Sequence, residues 1–214
     1  IKDDGIELLI QGARIGFDSW LHTISDVEEL TKAVTKVGAN LVPVDRNPID
    51  QLWTDRPAPP LGAVEIQPAA LSGELARDKL ARLAARLAEE GVAHTVLTDP
   101  SSVAWAFNIR GSDVPHTPHP LARAIVPATG KPLLFLDKRK TKIEAEAYLA
   151  QLCLQQPPSE LEAALARQAA GGARILVDPD LTPFALAELI RAKGGEIVEG
   201  NDPAKIPRAC KNLA

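Results

Sequence analysis

Apolar residues return along this chain at two spacings, and the alternation between them predicts the elements. Val27, Leu30, Val34 and Val37 share one helical face, and Gly38 stops that helix. Ahead of it, Gly12-Ala13-Arg14-Ile15-Gly16-Phe17-Asp18 reads as a buried strand ending in an acid, and Ser25-Asp26-Val27-Glu28 as the capping box that opens the helix. Asn40–Val44 is the next strand. The same order returns far downstream. Gly172-Ala173-Arg174-Ile175-Leu176-Val177-Asp178 is a strand ending in Asp, a helix begins near Thr182-Pro183 and stops at Gly194, and Glu196–Val198 is a strand.

Both stretches carry Gly-Ala-Arg-Ile-x-x-Asp. They read as one strand–helix–strand unit occurring twice, with parallel strands, at the end of each of two related domains. A chance match of a common unit is the alternative. The second copy has a full domain ahead of it, starting near Pro68, whereas the first has eleven residues. Residues 1–60 are therefore expected to be the C-terminal part of one domain and 61–206 a complete second one. Arg56–Pro60, with three prolines, reads as a stiff linker between them.

Within the second domain, Asp78 leads a helix with Leu80, Leu83, Ala84 and Leu87 at helical spacing, closed by Gly91. Ala93–Thr98 is a strand running into a short helix, with Asp99 as cap and Pro100 in the first turn. Asn108 and Gly111 end that helix, both read as left-handed stops. Ala122–Val126 and Leu133–Leu136 flank Pro-Ala-Thr-Gly-Lys-Pro and predict a hairpin. Ser159-Glu160-Leu161-Glu162 reads as a capping box for a helix through Ala170. The fold class that follows is α/β, a mixed β-sheet flanked by helices, preceded by part of a second, related domain.

Composition narrows the function classes. The 214 residues are 45% hydrophobic and 24% charged, with a net charge of −4, which argues against a nucleic-acid or anionic-membrane surface. Two cysteines, Cys153 and Cys210, are too few for a disulfide scaffold and point to a reducing, cytoplasmic setting. No apolar run approaches a membrane span, and Ile1-Lys2-Asp3-Asp4 does not open a signal peptide. Met is absent, even at position 1, as in a fragment or a processed chain.

The chemistry concentrates after Asn108, where Arg110, Asp113, His116 and His119 lie in a proline-pinned loop. A metal held by His116, His119 and Asp113 is disfavoured, because Pro118 and Pro120 forbid the helix that would align such a pair. His22 and His94 are isolated and read as structural. Cys153, without a partner base, reads as an inert thiol. Arg110 has two readings: a brace for the loop through Asp113, or a rigid cation facing a cleft. Trp53 and Trp105 read as core or interface anchors rather than ligand platforms.

Ala-Trp-Ala-Phe-Asn-Ile-Arg-Gly-Ser-Asp-Val-Pro-His-Thr-Pro, residues 104–118, resembles the signature of the second domain of three-domain aminopeptidases P, within the creatinase/prolidase group. Asp50–Pro60 is similar to that family's join between first and second domains, and Ile206–Asn212 to the start of its catalytic domain. The resemblance covers essentially the whole chain. It implies the fold of a creatinase N-terminal domain, with residues 207–214 leading into a catalytic domain that the sequence does not contain. It also implies removal of an N-terminal residue that precedes proline. Two divalent metal ions, usually manganese, would activate a water in the catalytic domain. No catalytic residue and no cofactor are expected within these 214 residues.

The partners implied are the chain's own catalytic domain, short peptides with proline in second position, and a second copy in a homodimer. Nucleic acid and membrane are not among them. Asn108, Arg110, Gly111, Asp113 and His116 are expected to form a rim of the substrate cleft, the two N-terminal domains walling it and restricting access. The alternatives are a stand-alone binding or scaffolding module of the same fold, and a hydrolase that uses His116 and His119 directly.

Overall fold

The computed structural model describes residues 11–210 of the chain. The first unit comprises β1 (Arg14–Phe17), α1 (Ile24–Lys36), β2 (Asn40–Pro43) and the short α2 (Pro48–Leu52). β1 and β2 pair in parallel as a two-stranded sheet, with Arg14 opposite Asn40. After a stretch without regular structure come β3 (Glu65–Ile66), α3 (Ala69–Ser72), α4 (Ala76–Glu89), β4 (His94–Leu97), α5 (Pro100–Ala106) and β5 (Ile109–Arg110). The antiparallel hairpin of β6 (Arg123–Pro127) and β7 (Leu133–Phe135) follows. Next are α6 (Ile143–Leu152), β8 (Leu154–Gln156), α7 (Leu161–Ala169), β9 (Arg174–Val177), α8 (Phe184–Ala192), β10 (Glu196–Glu199) and α9 (Lys205–Ala209).

Six strands form one mixed sheet in the order β10-β9-β4-β6-β7-β8, in which only β6 runs against the others. Successive residues of a strand face opposite sides, so the sheet feeds two cores. Leu97, Ala124, Val126, Leu134 and Leu176 meet Leu83 and Leu87 of α4, Val103 of α5 and Leu149 of α6. Val96, Ile125, Phe135, Ile175 and Val177 meet Leu165 of α7 and Leu186 and Ile190 of α8. The result is a helix–sheet–helix sandwich, as the alternating pattern predicted.

The two strand–helix–strand units do pair their strands in parallel. They also face each other across a local two-fold arrangement centred on a bridge between Thr23 and Pro183, equivalent positions of the repeat. Ile24 N–H donates to Thr182 O (3.1 Å), and Phe184 N–H to His22 O (2.9 Å). Ser25 N–H donates to Pro179 O (3.0 Å), and Ala185 N–H to Ser19 O (2.9 Å). The first turns of α1 and α8 thus satisfy their free N–H groups on one another's incoming loops. Asp18 and Asp178 shape those loops alike. Each accepts from the amide two residues on, at 2.8 and 3.1 Å, and each carbonyl accepts from Leu21 or Leu181 at 3.1 Å. Phe17 packs edge-on against Phe184, and Ile24 joins the core beneath α8.

Several local expectations are corrected. The capping box of α1 is Thr23 with Asp26, not Ser25 with Glu28; the Ser25 hydroxyl instead donates to Asp180 at 2.6 Å. β1 is largely exposed, with only Phe17 buried, because the two-stranded sheet has little packed against it. α4 starts at Ala76, so Asp78 sits inside its first turn, where it favours the helix dipole without capping. No box opens α7: Pro157 and Pro158 set a 3₁₀ turn over Pro158–Glu160 that runs into the helix. Arg56–Pro60 has no regular structure and is exposed throughout, as a proline-stiffened connection would be. Gly62 lies so close to the 111–121 loop that a Cβ there would sit 2.6 Å from the Ser112 carbonyl carbon.

Ile24 is 2% exposed and is the first unit's contribution to the second unit's core. Ile24→Ala should cost about 2–5 kcal/mol, the usual range for a buried aliphatic truncated to Ala. Urea unfolding should show this as a lower midpoint in a single transition if the two units are coupled as the paired N–H bonds require.

Candidate functional site

The 107–121 loop is built by three anchors. Asn108 takes a left-handed φ of 50° and is 2% exposed. Its Oδ1 accepts from Lys79 Nζ (2.6 Å), its Nδ2 donates to Glu74 O (2.8 Å), and its carbonyl accepts from Gln67 N (2.7 Å). Lys79 itself is buried, donates also to Trp105 O (3.1 Å) and lies 4.6 Å over the Trp105 ring. Burial pulls its pKa down to about 8.

Asp113 is the second anchor. Its Oδ1 accepts from Gly62 N (3.0 Å), and its Oδ2 from Leu121 N (2.7 Å) and Lys140 Nζ (2.7 Å). The Asp113 carboxylate is fully withdrawn from solvent and the Lys140 side chain is 5% exposed. Gly111 is the third, held by proximity rather than by a left-handed turn: a Cβ there would lie 2.7 Å from Pro120 Cα. Its φ is not positive, contrary to the helix-stop reading.

The rim residues expected from the sequence therefore separate. Asn108 is buried and holds the loop from below, so it reaches no surface. Asp113 is committed to Lys140 and two amides. His116 sits exposed at the tip with a φ of 61°. Arg110 does not pair with Asp113; its guanidinium donates to Ile109 O (2.8 Å). It is half-buried, has no acid partner among the described residues, and burial lowers its pKa.

Around Arg110 the structure gathers residues that lie far apart in the chain. Arg208 of α9 pairs with Asp99 (2.6 Å), the cap of α5, and also donates to Ser102 Oγ (3.2 Å). His119 stands beside this pair. Its pKa is lowered first by burial and then by Arg110, against an opposing effect of Asp99 that exceeds the lowering by Arg208. Its Nδ1 is buried without a partner. Arg110, His119, Asp99 and Arg208 thus form one half-buried, net basic edge able to receive an anionic or strongly polar group. Asp202, buried beside them, has its pKa raised by burial and accepts from Ala204 N (2.7 Å).

The sequence reading missed Lys79, Lys140 and Arg208. Lys79 was detectable, because it falls on the buried stripe of α4 with Ala76, Leu80, Leu83 and Leu87. Lys140 and Arg208 had no local signal. Cys153 is buried and its thiol is pushed up to about 12, as an inert side chain requires. Trp105 contributes to the core, whereas Trp53 is 47% exposed and faces Arg56. Among the described residues no three His, Cys, Asp or Glu side chains converge to hold a metal ion. The Asp113 oxygens in particular are already engaged. Among the described residues no helix is long and apolar enough to cross a membrane.

Fold and edge together define an α/β domain with a six-stranded mixed sheet between helix layers, a basic polar edge and no metal cluster among the described residues. The family model for the Creatinase/Prolidase N-terminal domain matches residues 55–214, and the chain belongs to that family. Aminopeptidase P1 of Lotus japonicus is 34% identical over 143 residues, 67% of this chain and 22% of that protein. A probable Xaa-Pro aminopeptidase P of Arthroderma gypseum is 30% identical over 213 residues, 94% of this chain and 33% of its own. The solved X-prolyl aminopeptidase of Caenorhabditis elegans, a cytosolic enzyme with a di-nuclear active site, superposes on 97% of this chain and 34% of its own. Its TM-score is 0.86 at 23% identity, which establishes the shared fold. The chain spans between a fifth and a third of these relatives.

Two outcomes check the anchors. Lys140→Ala leaves the Asp113 carboxylate buried without its cation and should cost about 3–5 kcal/mol, read as a lower thermal midpoint and faster proteolysis within residues 111–121. His119 has a folded pKa below the unfolded value of 6.5, so its neutral form is favoured by folding and stability falls as pH drops below 6.5. His119→Gln should flatten that fall. His94, whose pKa burial also lowers, contributes to the same fall, and Asp18, Asp26 and Asp137, held below the usual carboxylate pKa, add to it at more acidic pH.

Proposed function

We propose that the chain is the non-catalytic N-terminal part of a metal-dependent Xaa-Pro aminopeptidase, in which it walls the active-site cleft and limits access to short peptides with a free N-terminus and proline second. Residues 1–60 are the back of the first domain, 61–206 the second domain, and 207–214 lead toward the catalytic one. The aminopeptidase P relatives and the family match support the assignment.

Arg110 carries the functional reading. It is a half-buried cation with no carboxylate partner among the described residues, fixed by the β3–β5 pairing and its own backbone bond to Ile109. Such a group is positioned to donate hydrogen bonds to a peptide carbonyl or carboxylate lying in the cleft that faces the catalytic domain. His116 at the loop tip and His119 beside Arg110 extend the rim. The di-nuclear metal centre, manganese by family resemblance, would be held by residues of the catalytic domain. The parent is a cytoplasmic enzyme in this reading and acts as a homodimer.

In the parent enzyme, Arg110→Ala should lower kcat/KM by roughly ten- to a hundredfold, the equivalent of about 1.5–3 kcal/mol for one lost charge-assisted hydrogen bond. Metal content and the thermal midpoint should stay unchanged. An unchanged kcat/KM with a midpoint several degrees lower would make Arg110 a structural brace instead. The 214-residue chain by itself should release no N-terminal residue from an Xaa-Pro peptide with added manganese.

A further inference from the structure

A cavity of about 530 Å³ opens where β4, β7 and β8 end, a size that suits a small organic ligand. Pro60, Phe135, Pro157 and Leu161 supply apolar walls. Three cations line it, but two are spoken for. Arg139 closes on Asp137 at 2.6 Å, and Lys140 on Asp113 at 2.7 Å. Arg123, at the start of β6, is different. It is half-buried, its Nε is shielded from water without an acceptor, and among the described residues its guanidinium has no hydrogen bond and no acid.

Its one electrostatic neighbour is the face of Trp20, 5.5 Å from the guanidinium carbon. A ring face offsets part of the charge but accepts no directed N–H bond in the guanidinium plane. The Nε–H therefore remains unanswered beside an apolar chamber, and the guanidinium fork has no protein acceptor among the described residues. Burial lowers the Arg123 pKa, in keeping with a cation that lacks a counter-ion.

We propose that this cavity binds a small monoanionic carboxylate with an apolar body, its two oxygens received by the Arg123 guanidinium. A single free cation matches a single negative charge. Inorganic phosphate, at close to two charges, would need further donors, and Arg139 and Lys140 are already neutralised. The apolar walls reward a hydrocarbon body of about the size of a leucyl or prolyl side chain. Free carboxylates of this kind are the C-termini of very short peptides and simple branched acids. The site is distinct from the Arg110 edge and does not depend on the function assigned to it, although Lys140, which lines the cavity, also anchors the 107–121 loop through Asp113.

Isothermal titration of the 214-residue chain with N-acetyl-L-leucine tests this, with N-acetyl-L-leucinamide as the isosteric neutral control. The acid should bind with a Kd of about 1 mM or below, and the amide at least about tenfold more weakly. Arg123→Gln should abolish acid binding and Arg123→Lys should retain part of it. Amide resonances of Thr98, Leu121 and Leu161 should shift with the acid in the unsubstituted chain, a readout that holds even if Arg123→Gln fails to fold. 4-Methylpentanoate separates the two sources: weaker binding than the acetylated amino acid points to a peptide C-terminus, and equal binding to a simple acid, either of which supports the proposal. Equal affinity for acid and amide, no binding of the acid, shifts elsewhere than the cavity, or displacement of the acid by equimolar phosphate would overturn it.

Discussion

Asp113 holds a charged carboxylate entirely out of solvent, and the arrangement around the candidate site follows from meeting that demand. A buried anion is tolerated only when its lone pairs are occupied by donors and a cation stands close. Gly62 supplies one amide, Leu121 another, and Lys140 the charge. Those three come from the strand-free connection, the start of the β6 hairpin strand and the turn after β7. One carboxylate therefore fixes the relative positions of three segments and leaves the loop between them a defined path. Exposed pairs such as Arg77–Asp78 or Arg191–Glu188 are worth at most about 1 kcal/mol and fix nothing comparable.

With Asp113 committed elsewhere, Arg110 is freed for another role. A loop braced by an Arg110–Asp113 pair would have spent both charges on its own geometry. Here the brace is Lys140, drawn from outside the loop, while Asn108 and Lys79 hold it from beneath. Arg110 then remains at a half-buried edge with His119 and the Asp99–Arg208 pair. Desolvation matters at such an edge, because it strengthens any hydrogen bond that Arg110 makes to an incoming polar group and lowers the pKa of His119.

The repeat has a physical consequence beyond its sequence likeness. Two helices that begin face to face would each leave free N–H groups, and their dipoles would oppose each other. The equivalent loops resolve this by exchanging carbonyls across the local two-fold, and Asp26 and Asp180 add negative charge at the paired ends. The arrangement has the self-complementary form of a two-fold interface, realised here within one chain. It also explains why Ile24, in a unit with little core of its own, is among the most buried residues.

The strands β1, β2, β4, β9 and β10, the helices α1, α4, α5, α7 and α8, the parallel pairing of both units, the β6–β7 hairpin and the cap at Asp99 were legible in the sequence, whereas the cap of α1 was read at Ser25 and lies at Thr23. Each rests on local chemistry: spacing of apolar residues, proline and glycine constraints, short polar side chains beside free N–H groups. The concentration of chemistry-bearing side chains in residues 108–119 was equally plain from residue type and proline content. What sequence could not supply was which charge answers which. Lys140 lies 27 residues from Asp113 and Arg208 lies 109 from Asp99, and neither distance leaves a periodic trace. Buried ion pairs are chosen by the three-dimensional cost of desolvation, which depends on what the whole chain packs around them. That cost placed Asp113 with Lys140 rather than with Arg110, buried Asn108 instead of displaying it, and left Arg123 alone in its cavity.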